Sequence, residues 1–218
     1  MLSKAVLLAV FLKLVAAQTP LTAEGDEVAP ITTYTCTKAG GCVKKQSYIV
    51  IDEDLHPKYQ KANPSLSCGS WGAPPNATVC PTAEACAANC VIESLSRAQY
   101  EARGVKTKGS ALYLDMLKDS DLSSLSPRVY LLDSNKKEYD MLKLTGQEMA
   151  FTVDSSKLPC GMNGALYLSE MQKNGGTSPL NKVGAVRGGG YCDAQCFTFP
   201  FLEGVGNIEG KGACCNGM

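Results

Sequence analysis

Three acidic residues in a row, Asp52-Glu53-Asp54, follow a β-branched and aromatic run, and two more, Glu138 and Asp140, are spaced to share one face of an extended strand. Paired carboxyl groups are the equipment of general acid–base and glycosyl-transfer chemistry. Neighbouring side chains on a strand point to opposite sides, so only Asp52 and Asp54 of the first group would share a face. The ordinary reading of both groups is solvated charge at a turn. His56, in Asp54-Leu55-His56-Pro57-Lys58, is the one histidine of the chain. A Ser-His-Asp triad would have to use it, and multi-histidine zinc or copper sites are excluded. Beside a proline it reads as an exposed histidine with a structural or incidental role. Eleven cysteines complete the reactive inventory. Whether they bind metal, run redox chemistry or form disulfides depends on the compartment.

The chain has 218 residues, 44% of them hydrophobic, which is the composition of a globular protein. Lys and Arg number 21 and so do Asp and Glu, for a formal net charge of zero. That argues against nucleic acid as a partner and against a polybasic membrane-surface role. Met1 to Lys4 is a short basic start, residues 5–15 are apolar apart from Lys13, and Val15-Ala16-Ala17 supplies small residues before Gln18. This predicts a cleaved secretory signal over residues 1–17, with 18–218 as the mature part. The expected location is secreted and extracellular, where disulfides persist, with no membrane contact after signal cleavage. An odd cysteine count leaves one free, bonded to another chain or without its partner.

The elements that must position these groups are mostly strands. The 21 Gly and 11 Pro suit a turn-rich β protein. Cys36 and Cys42 bracket Thr-Lys-Ala-Gly-Gly, a tight loop that a disulfide would staple, and residues 47–52 read as a strand. Residues 63–90 read as loop, residues 91–103 as the one good helix, and Gly104 as its stop. Further strands are expected over 111–117, 128–133, 138–144, 148–154 and 164–171, with Ser134-Asn135-Lys136-Lys137 as a hairpin turn and 182–218 as glycine-rich loop. Such a series predicts an all-β, antiparallel sandwich. Asn76-Ala77-Thr78 is an N-glycosylation sequon, and Trp71 lies in a loop where it would either pack locally or stack on sugar.

Several longer motifs are more specific. Ile31-Thr32-Thr33-Tyr34-Thr35-Cys36-Thr37-Lys38-Ala39-Gly40-Gly41-Cys42 resembles the start of a glycoside hydrolase family seven enzyme. So do Ser126-Pro127-Arg128-Val129-Tyr130-Leu131-Leu132-Asp133 and Leu158-Pro159-Cys160-Gly161-Met162-Asn163-Gly164-Ala165-Leu166-Tyr167. Gly190-Tyr191-Cys192-Asp193-Ala194-Gln195-Cys196 and Cys214-Cys215-Asn216 complete the series, in family order. The resemblance implies a secreted, retaining β-1,4-glucanase of concanavalin-like jelly-roll fold, acting as a monomer on cellulose-like β-1,4-glucan without cofactor or metal. Residues 131–133 and 193–195, and the 17 residues between Cys196 and Cys214, resemble the endo-acting branch. It also implies disulfides Cys36–Cys42, Cys68–Cys90, Cys80–Cys86, Cys192–Cys215 and Cys196–Cys214, leaving Cys160 as the free thiol. Disulfides of this kind stabilise by about 2–4 kcal/mol each.

By the same resemblance, Asn163, Tyr167, Tyr191, Asp193 and Gln195 contact the glucose units near the cleavage point, with Asp193 supporting the reaction centre. Without the resemblance, the competing reading of Tyr167 is a sheet-core aromatic. The family usually has an Asn-aromatic-Arg-Trp run that clamps a distal sugar. Here His56 and Pro57 replace its Arg and Trp. Retaining hydrolysis needs two carboxyls about 5–5.5 Å apart. The family carries them in Glu-x-Asp-x-x-Glu after the paired cysteines, where this chain reads Cys214-Cys215-Asn216-Gly217-Met218. Gly217 takes the nucleophile position, and the acid/base position falls after Met218. The sequence therefore predicts a catalytic-domain portion that does not hydrolyse glucan. The alternatives are a non-catalytic secreted glucan-binding or decoy protein, and an incomplete gene model.

Overall fold

The computed structural model describes residues 25–70 and 74–191. Its centre is a long antiparallel hairpin. β1 (Ala29–Thr37) runs to a turn and returns as β2 (Gly41–Ile51), in register from Ala29 opposite Ile49 to Thr37 opposite Gly41. Both strands are rich in Thr, Val and Ile, whose branched Cβ favours extended backbone. Gly41 holds φ +67°, a left-handed conformation that costs glycine little. Cys36 and Cys42 face each other across the hairpin and are bonded. β7 (Val129–Leu132) pairs antiparallel with the other edge of β2, with Val50 opposite Tyr130.

Alternation sorts this sheet into two buried faces. Odd-numbered Ala29, Ile31, Ile49 and Ile51 pack with Leu95, Tyr100 and Val105. Even-numbered Val28, Val50 and Leu132 pack with Tyr139 and Ala185. Each side chain fully buried this way stabilises the fold by about 1.5–3 kcal/mol. The even face carries the site.

The first face is covered by α2 (Arg97–Ala102) and the hairpin of β5 (Val105–Lys108) with β6 (Ala111–Leu114). A capping box starts α2: Ser96 Oγ accepts from the Gln99 N–H at 3.3 Å, and Gln99 Oε1 accepts from the Ser96 N–H at 2.8 Å. The helix is therefore shorter than the expected 91–103. Residues Cys90–Ile92 form β4 instead, paired with β3 (Lys58–Gln60). Cys90 is tied to Cys68, and the β-branched Val91 and Ile92 suit a ladder better than a helix. A second helix, α1 (Ala83–Asn89), stands where loop was expected. Its Ala-rich sequence is a strong helix former, Thr82 Oγ1 caps it, and Cys80 is bonded to Cys86 within it.

Three expected strands, 138–144, 148–154 and 164–171, carry no strand in the structure. The turn at 134–137 does form, and Tyr139 makes one isolated bridge to Leu132. A strand must satisfy its N–H and C=O groups on a neighbour. Met149, Phe151 and Val153 keep the period-two pattern yet stand exposed, with no partner strand among the described residues. Sheets of three, two and two strands result, and a two-sheet sandwich is not resolved among the described residues. None of the helices among them is long and apolar enough to cross a membrane.

Candidate functional site

The end of β2 delivers the residue that follows it, Asp52, to the second face of the sheet. Asp52 N–H donates to the Arg128 carbonyl at 2.9 Å, which extends the β2–β7 pairing and places Asp52, Arg128 and Tyr130 on one side. After Asp52 the chain tightens into a 3-10 turn, Glu53–Leu55, capped by Asp52 Oδ1 accepting from the Asp54 N–H at 2.9 Å. The turn is the reason that three consecutive acids line one shallow pocket, with Arg128, Gly189 and Tyr191 opposite.

The charges are closely paired. Asp52 Oδ2 accepts from Arg128 Nε at 2.7 Å and from the Tyr130 hydroxyl. Lys58 Nζ donates to Asp54 Oδ1 at 2.8 Å and lies 3.5 Å from Glu53 Oε1. Burial draws the Arg128 guanidinium down, but its hydrogen bond and charge contact with Asp52 more than reverse this, so it is held firmly cationic. Burial pushes the Glu53 carboxyl up, with Lys58 opposing. Burial and the Asp52 charge push the Tyr130 phenol up, so it donates rather than ionises. The Tyr191 ring lies under the Arg128 guanidinium at 4.8 Å and beside Tyr130 at 5.7 Å. Tyr139 donates to the Gly189 carbonyl at 2.6 Å. A Cβ on Gly188, at φ +68°, would lie 2.1 Å from the Ile51 carbonyl oxygen, so glycine is required for this loop to close over the turn.

Several sequence expectations are corrected here. Asp52 and Glu53 are buried rather than solvated turn charges, because the turn folds them against Arg128 and Lys58. His56 is buried, not exposed: its ring is enclosed by Asp26 and the backbone of Asp52. Glu138 and Asp140 do not act as a pair, since Glu138 meets Lys173 at 2.8 Å while Asp140 meets Lys45 at 2.5 Å. Of the expected sugar contacts, Tyr191 joins the Asp52 cluster. Asn163 and Tyr167 lie on the exposed 161–170 segment, Tyr167 at 71% exposure, so Tyr167 is not a sheet-core aromatic among the described residues. The signal segment 1–17, Trp71, Asp193, Gln195, Gly217 and the cysteines from Cys192 onward lie outside the described residues. Asn76 stands in an Asx turn, its Oδ1 accepting from the Thr78 N–H at 3.0 Å. Cys160 is exposed and makes no disulfide among the described residues. Arg128 and Tyr130 were missed as site residues, although their spacing in Arg128-Val129-Tyr130 already put them on one strand face.

The arrangement can hold and orient a polar ligand but is poorly placed to attack one. Both carboxylate oxygens of Asp52 accept hydrogen bonds from the protein, and Glu53 is buried against Gly189. Among the described residues, one group of cysteines comes close enough together to suggest a metal site. Cys68, Cys80 and Cys90 bring their sulfurs within 4.8 Å of one another, but each is in a disulfide and offers no thiolate.

Comparison with known proteins places the whole. The pattern of Glycosyl hydrolase family 7 matches residues 21–218. Endoglucanase 1 of Pyricularia oryzae is 53% identical over 208 residues, covering 95% of this chain and 48% of that protein. The native endocellulase EGI of Humicola insolens superposes with a TM-score of 0.75 at 49% identity, over 88% of this chain and 48% of that one. A cellobiohydrolase from Melanocarpus albomyces, solved in complex with cellotetraose, superposes with a TM-score of 0.69 at 34% identity, over 80% of this chain and 40% of that one. The chain belongs to glycosyl hydrolase family 7, on its endoglucanase side, and spans about half the length of the curated relatives it matches.

Proposed function

We propose that this chain is the glucan-binding N-terminal portion of a secreted family 7 endo-β-1,4-glucanase, folded as one part of the family's jelly-roll sandwich. The 53% identity to an endoglucanase over 95% of the chain carries the reading. The aromatic and charged floor of Tyr191, Arg128 and Tyr130 supports it, because a pyranose offers an apolar face to a ring and hydroxyls to a guanidinium. Asn163, Tyr167, Asp193 and Gln195 complete the sugar contacts near the cleavage point. Secretion follows from the signal-like residues 1–17 and agrees with the three disulfides described.

Turnover is a separate matter. Gly217 stands at the nucleophile position, and glycine has no side chain to form a glycosyl-enzyme bond. Residues 1–218 therefore bind cello-oligosaccharide without cleaving it. Titration calorimetry with cellotetraose should detect binding that falls about tenfold in Tyr191→Ala, the loss of one aromatic anchor. Purified, oxidised protein should release no chromophore from an aryl β-cellobioside. Absence of cellotetraose binding would end the sugar reading. Release that disappears in Asp193→Asn or Asp52→Asn would move the reaction centre to that residue.

A further inference from the structure

Behind the acidic turn lies a fully enclosed polar cluster that joins three distant parts of the chain. Asp26 comes from the segment before β1, His56 from the residue closing the 3-10 turn, and Tyr100 from α2. Asp26 Oδ1 accepts from the Leu95 N–H at 2.9 Å, and its Oδ2 lies 2.7 Å from both the Tyr100 hydroxyl and His56 Nε2. The side chains of His56 and Asp26 are both 0% exposed.

Hydrogen-bond capacity settles where the protons are. The Tyr100 oxygen accepts from the Ile51 N–H at 3.2 Å, so its single proton is directed at Asp26 Oδ2. His56 Nδ1 lies 2.9 Å from the Asp52 carbonyl oxygen, which can only accept, so Nδ1 carries a proton. A neutral ring with its proton there would present a bare Nε2 to a carboxylate oxygen. Two acceptors would then face each other in a dry site, at a steep cost. One more proton must sit between Nε2 and Oδ2. With Leu95 N–H, Tyr100 O–H and His56 N–H all aimed at it, Asp26 is suited to the carboxylate form and the proton belongs to the imidazole.

We propose that His56 is a buried imidazolium, held by Asp26 and Tyr100, and that it acts as the positioning residue of the site by fixing the backbone of Asp52. The link is direct: the Asp52 carbonyl takes the His56 Nδ1–H and the Leu55 N–H, while the Asp52 side chain takes Arg128 and Tyr130. The imidazolium thus sets the angle at which the turn presents Asp52 and Asp54. Charged neighbours acting on the cluster are Glu53 on the same turn, Arg187 on the 3-10 turn Gly184–Arg187 and Arg97 on α2. Arg187 also donates to the Ile92 carbonyl. This inference concerns the geometry of the turn and stands whether or not the ligand is a glucan.

The single histidine makes the test direct. Nuclear magnetic resonance on the isotope-labelled imidazole of the full chain at neutral pH should show both ring nitrogens protonated. Tyr100→Phe, which leaves the His56–Asp26 proton in place, should keep that signature. In Asp26→Asn the carboxylate is gone, and Nε2 should lose its proton while Nδ1 keeps its own. The Leu55 and His56 amides should then exchange about tenfold faster or more, and the Arg128 Nε–H resonance should shift. A bare Nε2 in the wild-type protein overturns the imidazolium. Unmoved Arg128 and Leu55 signals in Asp26→Asn overturn the positioning role. If Asp26→Asn does not fold, the ring signals of the wild type and of Tyr100→Phe decide the protonation, and Arg128 and Leu55 in a His56→Gln chain decide the positioning.

Discussion

Asp52 shows how little of a carboxylate's role can be inferred from its type. Its oxygens hold Arg128, Tyr130 and the Asp54 N–H, so its work is to bind the turn to the sheet. Asp52→Ala should lower the unfolding free energy by about 3 kcal/mol, because it removes the carboxylate that the Arg128 guanidinium and the Tyr130 phenol share. Urea titration measures this, and a loss below about 0.5 kcal/mol would mean that solvent substitutes for the carboxylate. Glu53 behaves oppositely. Its carboxyl is raised by burial, so its contribution to stability is full below the ordinary carboxylate range and is lost as pH rises through the raised folded value. Glu53→Gln mimics the protonated form. It should melt at a higher temperature than wild type near pH 7 and match it below about pH 4. A variant less stable near neutrality would show that the Lys58 contact outweighs desolvation.

The two short helices differ in what secures them. α2 depends on its capping box, and its Tyr100 fills the core beneath β1 and β2. Ser96→Ala should cost about 1 kcal/mol in thermal or urea unfolding. α1 has an equivalent side-chain cap in Thr82, but the Cys80–Cys86 and Cys68–Cys90 disulfides already hold both its ends. Thr82→Ala should therefore cost less than Ser96→Ala in oxidised protein and approach it after reduction. Equal costs in oxidised protein would mean that the disulfides do not relieve the cap.

At the scale of the molecule, the unpaired stretch from 141 to 168 is the main departure from an ordinary globular surface. Met149, Phe151, Val153, Leu166, Tyr167 and Leu168 all stand exposed there. Cys160, itself exposed, lies in the same stretch. Three disulfides are described, and with Cys192–Cys215 and Cys196–Cys214 paired as the family resemblance implies, thiol titration of secreted, unreduced monomer should find one free thiol among the eleven cysteines. A count of zero would refute the pairing scheme, and N-terminal sequencing of the same sample should begin at Gln18.

Local chemistry was legible in the chain itself. The Cys36–Cys42 hairpin, the β2 and β7 strands, the turn at 134–137 and the family motifs all depend on residues close in sequence. Helix ends were less legible because α2 begins at a capping box and β4 exists through its pairing with β3 and its bond to Cys68. The strand-like pattern at 148–154 was read correctly as alternation and wrongly as a strand, since alternation describes side chains whereas a strand also needs a neighbour for its backbone. The site was legible in its residue types and not in their roles. Asp52 and His56 could be singled out from the sequence, but burial and pairing are set by contacts between segments: β2 against β7, and Asp26 against His56 across 30 positions. Only the tertiary structure turned three acids that looked solvated into two buried carboxyls and a half-buried third, each facing a counter-charge, because desolvation and opposite charge act through space and leave no mark on the order of residues.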